Sequence, residues 1–210
     1  MVARLLDHVA IWVADRDAAA DRLLDVAGVR VIERNERFTL IGSDARRGKV
    51  TLFAADGPRE RGVLRHVALR VREGEDAEHD LGEGVLLQVV QAPTDLDYDL
   101  DNVGLFSRDP ERTAHAYLGL GFEPAEPRDG VPRVEVGGAF VEFHEGDFAE
   151  SERPLLNHLG VLVDRADEAK ELGVEVADVV DAPNTYAVFV WGPERVKIEY
   201  IEHKPTFSLV

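Results

Sequence analysis

The sequence predicts an α+β fold of four βαβββ-type modules, the second truncated, whose strands pair into two cup-shaped mixed sheets with helices outside. Three observations predict it. One strand pattern recurs four times, as DHVAIWV at 7–13, RHVALRV at 65–71, DNVGLFS at 101–107 and NHLGVLV at 157–163, with His8, His66, Asn102 or His158 in second place. The repeats are evenly spaced, 94 residues from His8 to Asn102 and 92 from His66 to His158, as in a duplicated pair of modules. A last strand also follows each full module at a near-constant distance: 43 residues for His8 to Thr51, 40 for Asn102 to Glu142 and 41 for His158 to Glu199.

In module one the opening strand leads into DRDAAADRLLDVAG, a helix that Asp15 or Asp17 can cap and Gly28 can end. Strands VRVIE, RFTLIG and KVTLFAA follow. Module two is cut short: the acidic text at 73–84 suits no helix, and the sequence does not place the strands before Gln91. Module three repeats the full order, with a helix begun near Pro110, a helix-ending turn in GLGFEP, and strands PRVEV and AFVEFHE joined at Gly137-Gly138. Module four reads NHLGVLV, the helix RADEAKELG, then VEVAD, YAVFVWG and ERVKIEYIE. Pairing consecutive modules would give two halves, 1–96 and 97–210.

Strand alternation orients the polar residues. Leu159, Val161 and Val163 form an apolar face suited to a covering helix, which turns His158 the other way. Ile198 and Tyr200 likewise oppose Lys197 and Glu199, so a histidine and a carboxylate line one concave surface, the simplest start of a metal site. His8 and His66 face their own cup with Thr51 where a carboxylate would be needed, an incomplete site unless exchanged pairing sets His8 beside His158.

Four such modules, a first-strand histidine and the closing GPERVKIE, Gly192 to Glu199, resemble the vicinal oxygen chelate superfamily, which includes glyoxalase I, the bleomycin-resistance proteins and the type I extradiol dioxygenases. The resemblance spans nearly the whole chain, most weakly at 72–100 and 203–210. It implies a divalent metal, Fe, Mn, Ni or Zn, held by first-strand His and last-strand Glu residues, and a small-molecule substrate chelated through adjacent oxygens by an isomerase, lyase or dioxygenase. The dioxygenase ligand positions fall on Asn102, His158 and Glu199; Asn replaces one His, and Glu142 is the expected completion of the set. His144 takes the place of a catalytic histidine that moves a proton. Phe189 stands where that branch has tyrosine, and Tyr186 lies on the opposite strand face, so ring cleavage is disfavoured. Asn102, Phe189 and Tyr186 are the expected substrate-lining residues. The alternative is a metal-free protein that sequesters a small molecule, as the bleomycin-resistance members do; a role confined to dimerisation or regulation is a third reading.

Composition narrows the function. A formal charge of −17 opposes binding to nucleic acid and to anionic membranes. Cysteine is absent, which excludes disulfides and thiolate chemistry. No apolar run of membrane-spanning length or secretion leader is visible, so a cytoplasmic location is expected. Assembly as a homodimer is left open. No Gly-x-Ser-x-Gly elbow, phosphate loop or HExxH helix is present.

Overall fold

The protein was analysed as a computed structural model that describes residues 3–207. Module one comprises β1 (Ala3–Val13), α1 (Arg16–Ala27), β2 (Arg30–Arg34), β3 (Phe38–Gly42) and β4 (Lys49–Ala54). Module two has β5 (Leu64–Val71), β6 (Ala77–Asp80) and β7 (Leu86–Gln91), with no helix. Module three has β8 (Tyr98–Ser107), α2 (Pro110–Leu118), β9 (Glu123–Arg128), β10 (Val131–Val136) and β11 (Ala139–Glu145). Module four has β12 (Leu156–Val163), β13 (Val176–Asp181), β14 (Thr185–Trp191) and β15 (Lys197–His203).

Local chemistry sets the helix ends. Asp15 accepts a hydrogen bond from the Ala18 N–H at one end of α1, and Gly28 closes the other in the left-handed region at φ 62°. Asp109 caps α2 through the Arg112 N–H, with Pro110 in the first turn, where its missing N–H costs nothing. Helices this short are marginal alone. Packing decides in their favour: Ala20, Leu23 and Ala27 of α1 and Tyr117 of α2 are fully buried, and burial of a side chain the size of Leu23 contributes about 1.5–3 kcal/mol. The expected helix of module four is instead a 3₁₀ segment, Ala166–Glu171. Its two buried residues, Ala166 and Ala169, are three apart, which suits three residues per turn; Arg165 makes no capping bond, and the Ala166 N–H donates instead to Glu202 at 3.3 Å.

Two mixed sheets result, one in the order β13-β14-β15-β12-β1-β4-β3-β2 and the other β6-β7-β5-β8-β11-β10-β9. The first module therefore joins the fourth, and the second joins the third, correcting the expectation that consecutive modules pair within 1–96 and within 97–210. The connections account for it. A short link from β7 to β8, strands on either side of β5, keeps modules two and three in one sheet. The other two links cross between sheets side by side: the Leu155 N–H donates to the Glu60 carbonyl at 2.7 Å, and the Glu60 N–H to that of Arg153 at 3.2 Å.

The faces behave as alternation requires. Val9, Ile11, Val13, Leu159, Val161, Val163, Ile198 and Tyr200 enter one continuous apolar core. His8, His158 and Glu199 are buried on the opposite face. Among the described residues no helix is long and apolar enough to cross a membrane.

Candidate metal centre

Register assembles the centre. His8 on β1 pairs with Gly160 on β12, and Gly160 pairs on its other side with Glu199 on β15. The three positions form one row across the sheet, so two long side chains converge over a residue that has none. A Cβ on Gly160 would lie 2.3 Å from His8 Cε1 and 2.4 Å from Nδ1, so the glycine is required by the ring above it. His158, two residues before Gly160 and on the same face, completes the group.

The three side chains meet at a triangle of atoms. His8 Nε2 lies 2.8 Å from His158 Nε2, and Glu199 Oε2 lies 3.0 Å from each. The opposite ring nitrogens are already committed. Asp7 Oδ2 accepts from His8 Nδ1 at 2.7 Å, and Asn157 Oδ1 accepts from His158 Nδ1 at 3.1 Å. Each imidazole is thus held with its Nε2 facing the triangle, the orientation that carboxylate and amide partners impose on metal-binding histidines.

Asp7 reaches its neighbour's ring through a β-bulge. Leu6 pairs with Val161 and His8 with Gly160, so Asp7 is the extra residue and the alternation breaks there. Lys49, which pairs with His8 on the adjoining strand, holds Asp7 from the other side at 2.9 Å and donates to the Ala45 carbonyl at 2.8 Å. Both Asp7 and Lys49 are buried, and each has a second hydrogen-bond partner, His8 for the carboxylate and the Ala45 carbonyl for the ammonium, as a buried ion pair needs.

Burial opposes charge on His8, yet Asp7 and Glu199 outweigh it and raise its pKa to about 9. Burial lowers that of His158 against the pull of Glu199, and His8 adds to the fall. Burial would raise Glu199, but His158 and His8 hold it far below the usual carboxylate range. One proton, carried by His8 Nε2, therefore faces two acceptor atoms, His158 Nε2 and Glu199 Oε2.

That set fits a divalent cation. Cis donors on a six-coordinate ion with bonds of about 2.1 Å lie about 3.0 Å apart, against about 3.4 Å for a tetrahedral ion. The 2.8–3.0 Å edges are hydrogen-bond lengths that either geometry can reach by a small shift, so it is the donor types that fit: two imidazoles and one carboxylate on a face, with positions left open.

The other sheet carries a counterpart that has diverged. His66 on β5 pairs with Gly104 on β8, Gly104 pairs with Glu142 on β11, and Asn102 takes the place of His158. Here Arg65, again at a bulge, donates to His66 Nδ1 at 2.7 Å, which leaves Nε2 as the N–H that donates to Asn102 Oδ1 at 2.6 Å. Both ring nitrogens are used. Burial, with Arg65 beside it, lowers the His66 pKa to about 4. His144 Nε2 lies 3.5 Å from Glu142 Oε2 and its ring lies edge-on to His66 at 5.6 Å. His66, Glu142 and His144 are close enough to share an ion, but with both nitrogens of His66 engaged the tautomer is wrong for it.

The expected residues are thus divided. His158 and Glu199 come together, whereas Glu142, His144 and Asn102 belong to the other sheet, because the modules pair first with fourth. Phe189 lies edge-on to His158 at 5.3 Å and lines the adjacent cleft. Tyr186 faces away: its hydroxyl donates to Asp167 at 2.7 Å and accepts from Lys170 at 3.0 Å, beside the 3₁₀ segment. His8 enters as the third donor, and Asp7 and Lys49 as its supports. The Asp7-His8 dipeptide was the available signal; the bulge that makes it work has no sequence signature.

A cleft of about 470 Å³ opens beside His158, walled by Trp12, Phe53 and Phe189 and reached by Arg37 and Lys197.

No protein-family model and no curated protein matches this chain. Solved structures do. A Bacillus subtilis protein, provisionally described as a dioxygenase, superposes with a TM-score of 0.78 at 14% identity, covering 97% of this chain and 86% of its own. Glyoxalase I from Zea mays gives 0.72 at 17%, covering 95% and 92%, and the CppA protein of Streptococcus pneumoniae 0.64 at 12%, covering 96% and 100%. The likeness is one of fold.

Proposed function

We propose that this chain, which has the vicinal oxygen chelate fold, holds one divalent cation through His8, His158 and Glu199 and with it takes up a small molecule by two adjacent oxygens. The observation that carries the reading is the triangle of two imidazole nitrogens and one carboxylate oxygen, 2.8–3.0 Å on each edge, with both Nδ1 atoms tied to acceptors.

When bound, such an ion supplies Lewis-acid polarisation of the chelated oxygens and stabilises enolate-like charge, a step common to isomerase, lyase and dioxygenase chemistry. The chain's residues prepare for it. Asp7, clamped by Lys49, fixes the His8 ring and raises its basicity; Asn157 orients His158; Gly160 leaves room for the ring between them. Trp12, Phe53 and Phe189 keep the approach apolar, which strengthens polar contacts inside it.

Elemental analysis of protein purified without chelator tests the reading, beside His8→Ala, His158→Ala and Glu142→Ala variants. One equivalent is expected in the parent and in Glu142→Ala, and none in the other two. Failure to take up any of the four ions, or loss confined to Glu142→Ala, would overturn it and favour a metal-free binding protein.

A further inference from the structure

Lys197 stands out by its lack of a partner. Three of the four lysines are neutralised: Lys49 by Asp7, Lys170 by Asp167 and Lys204 by Asp181. Among the described residues no carboxylate lies within 4.0 Å of Lys197, in a chain of net charge −17. It is half-buried, its ammonium packs 5.1 Å from the Trp191 ring, and it lies two residues before Glu199 on the same strand face, lining the cleft beside His158. A half-buried cation without a counter-ion, in a chain with a large excess of acid, is suited to an anion. Arg37, also without an ion-pair partner among the described residues, lines the same cleft. The cleft's acids, Glu36 and Asp178, are exposed and pair with neither cation.

Shape adds to charge. Trp12 and Phe53 lie 5.2 Å apart, Phe53 lies 6.2 Å from His158, and Phe189 lies 5.3 Å from His158, so the walls present aromatic faces and edges suited to a flat ligand. Two residues along a strand separate Lys197 from Glu199 by about 7 Å, the reach of one six-membered ring and its substituent.

We propose that the cleft selects a small planar acid, bound through two adjacent oxygens at the centre and through a carboxylate at Lys197, which makes Lys197 a specificity-determining residue. This rests on the metal reading above, and the test separates the two. Zinc-loaded protein, in which no redox turnover occurs, is titrated with 3,4-dihydroxybenzoate and with 3,4-dihydroxybenzamide, followed by calorimetry and by quenching of Trp12 and Trp191. The acid is expected to bind roughly tenfold or more tighter than the amide, the range for a hydrogen bond to a charged group. Lys197→Met should abolish that preference while leaving amide affinity and zinc stoichiometry unchanged, and Lys197→Arg should restore most of it. Equal binding of acid and amide by the parent, an undiminished preference in Lys197→Met, or no binding of either compound would overturn the proposal. If the parent takes up none of Fe, Mn, Ni and Zn, the metal reading fails by that measurement alone, and benzoate against benzamide on the metal-free protein still decides the role of Lys197.

Discussion

Gly160→Ala is the substitution that tests the centre most sharply, because its matched control is built into the chain. The backbone at Gly160 is extended strand, so alanine meets no conformational barrier and in open space would gain about 0.4–1 kcal/mol. The obstacle is the His8 ring: the new Cβ would sit 2.3 Å from Cε1, where ordinary contact begins near 3.4 Å, so the ring must retreat by 1.1 Å (3.4 − 2.3). It cannot do so while keeping its 2.7 Å bond to Asp7 and its place in the triangle. Overpacking of this kind costs about 1–3 kcal/mol. Gly104→Ala poses the same problem under His66, with contacts of 2.4 and 2.5 Å, and should cost a similar amount in urea unfolding of the chelator-treated proteins. Metal binding should separate the two. Displacing one of three donors should lower affinity at least 100-fold in Gly160→Ala, while Gly104→Ala should load one equivalent as the parent does. Unchanged metal affinity in Gly160→Ala, or an equal loss in both variants, would refute the assignment.

Two further outcomes follow from the same geometry. The metal-free protein carries a proton on His8 below a pH of about 9, and the ion needs that nitrogen's lone pair, so binding at pH 7 should release about one proton. Affinity should climb about tenfold per pH unit and level off above about 9, read by calorimetry in buffers of different ionisation enthalpy; a flat profile would exclude His8 as a ligand. The sign for stability is opposite: a raised histidine pKa stabilises the metal-free fold fully below about 6.5, and that contribution is lost as pH rises through about 9. In the second sheet, Arg65→Asp with Asn102→His should free His66 Nε2 and restore its missing partner. Metal content should rise from one equivalent to two, and a stoichiometry still at one would show that more than tautomer and ligand type separates the sheets.

Much of this protein could be read from its residues. The fourfold recurrence of a strand with a polar second position gave the modules, and alternation placed His158 and Glu199 on a face opposite Leu159, Ile198 and Tyr200, where the structure has them. These are properties of a strand's own period and need no knowledge of its neighbours. Asp15, Gly28, Asp109 and Pro110 likewise end or begin their helices by local chemistry. The strands after β5 in module two were not readable, and β6 shows why, being four residues long, polar and mostly exposed.

What the tertiary structure alone decided was which strand lies beside which. Glu142 and Glu199 are equivalent in sequence, each the last-strand carboxylate of its module, yet only Glu199 shares a row with a histidine whose Nε2 faces a second imidazole, while the Nε2 of His66 is bonded to Asn102. Pairing of the first module with the fourth brought His8 to His158, across 150 residues of chain, and a bulge turned Asp7 toward one histidine and Arg65 toward the other. Long-range pairing is set by how the connecting segments pack, and a bulge by the register between two strands. Neither is a property of any single stretch of residues, and together they determine which of two similar cups brings the ring nitrogens of two first-strand histidines and a glutamate to one point.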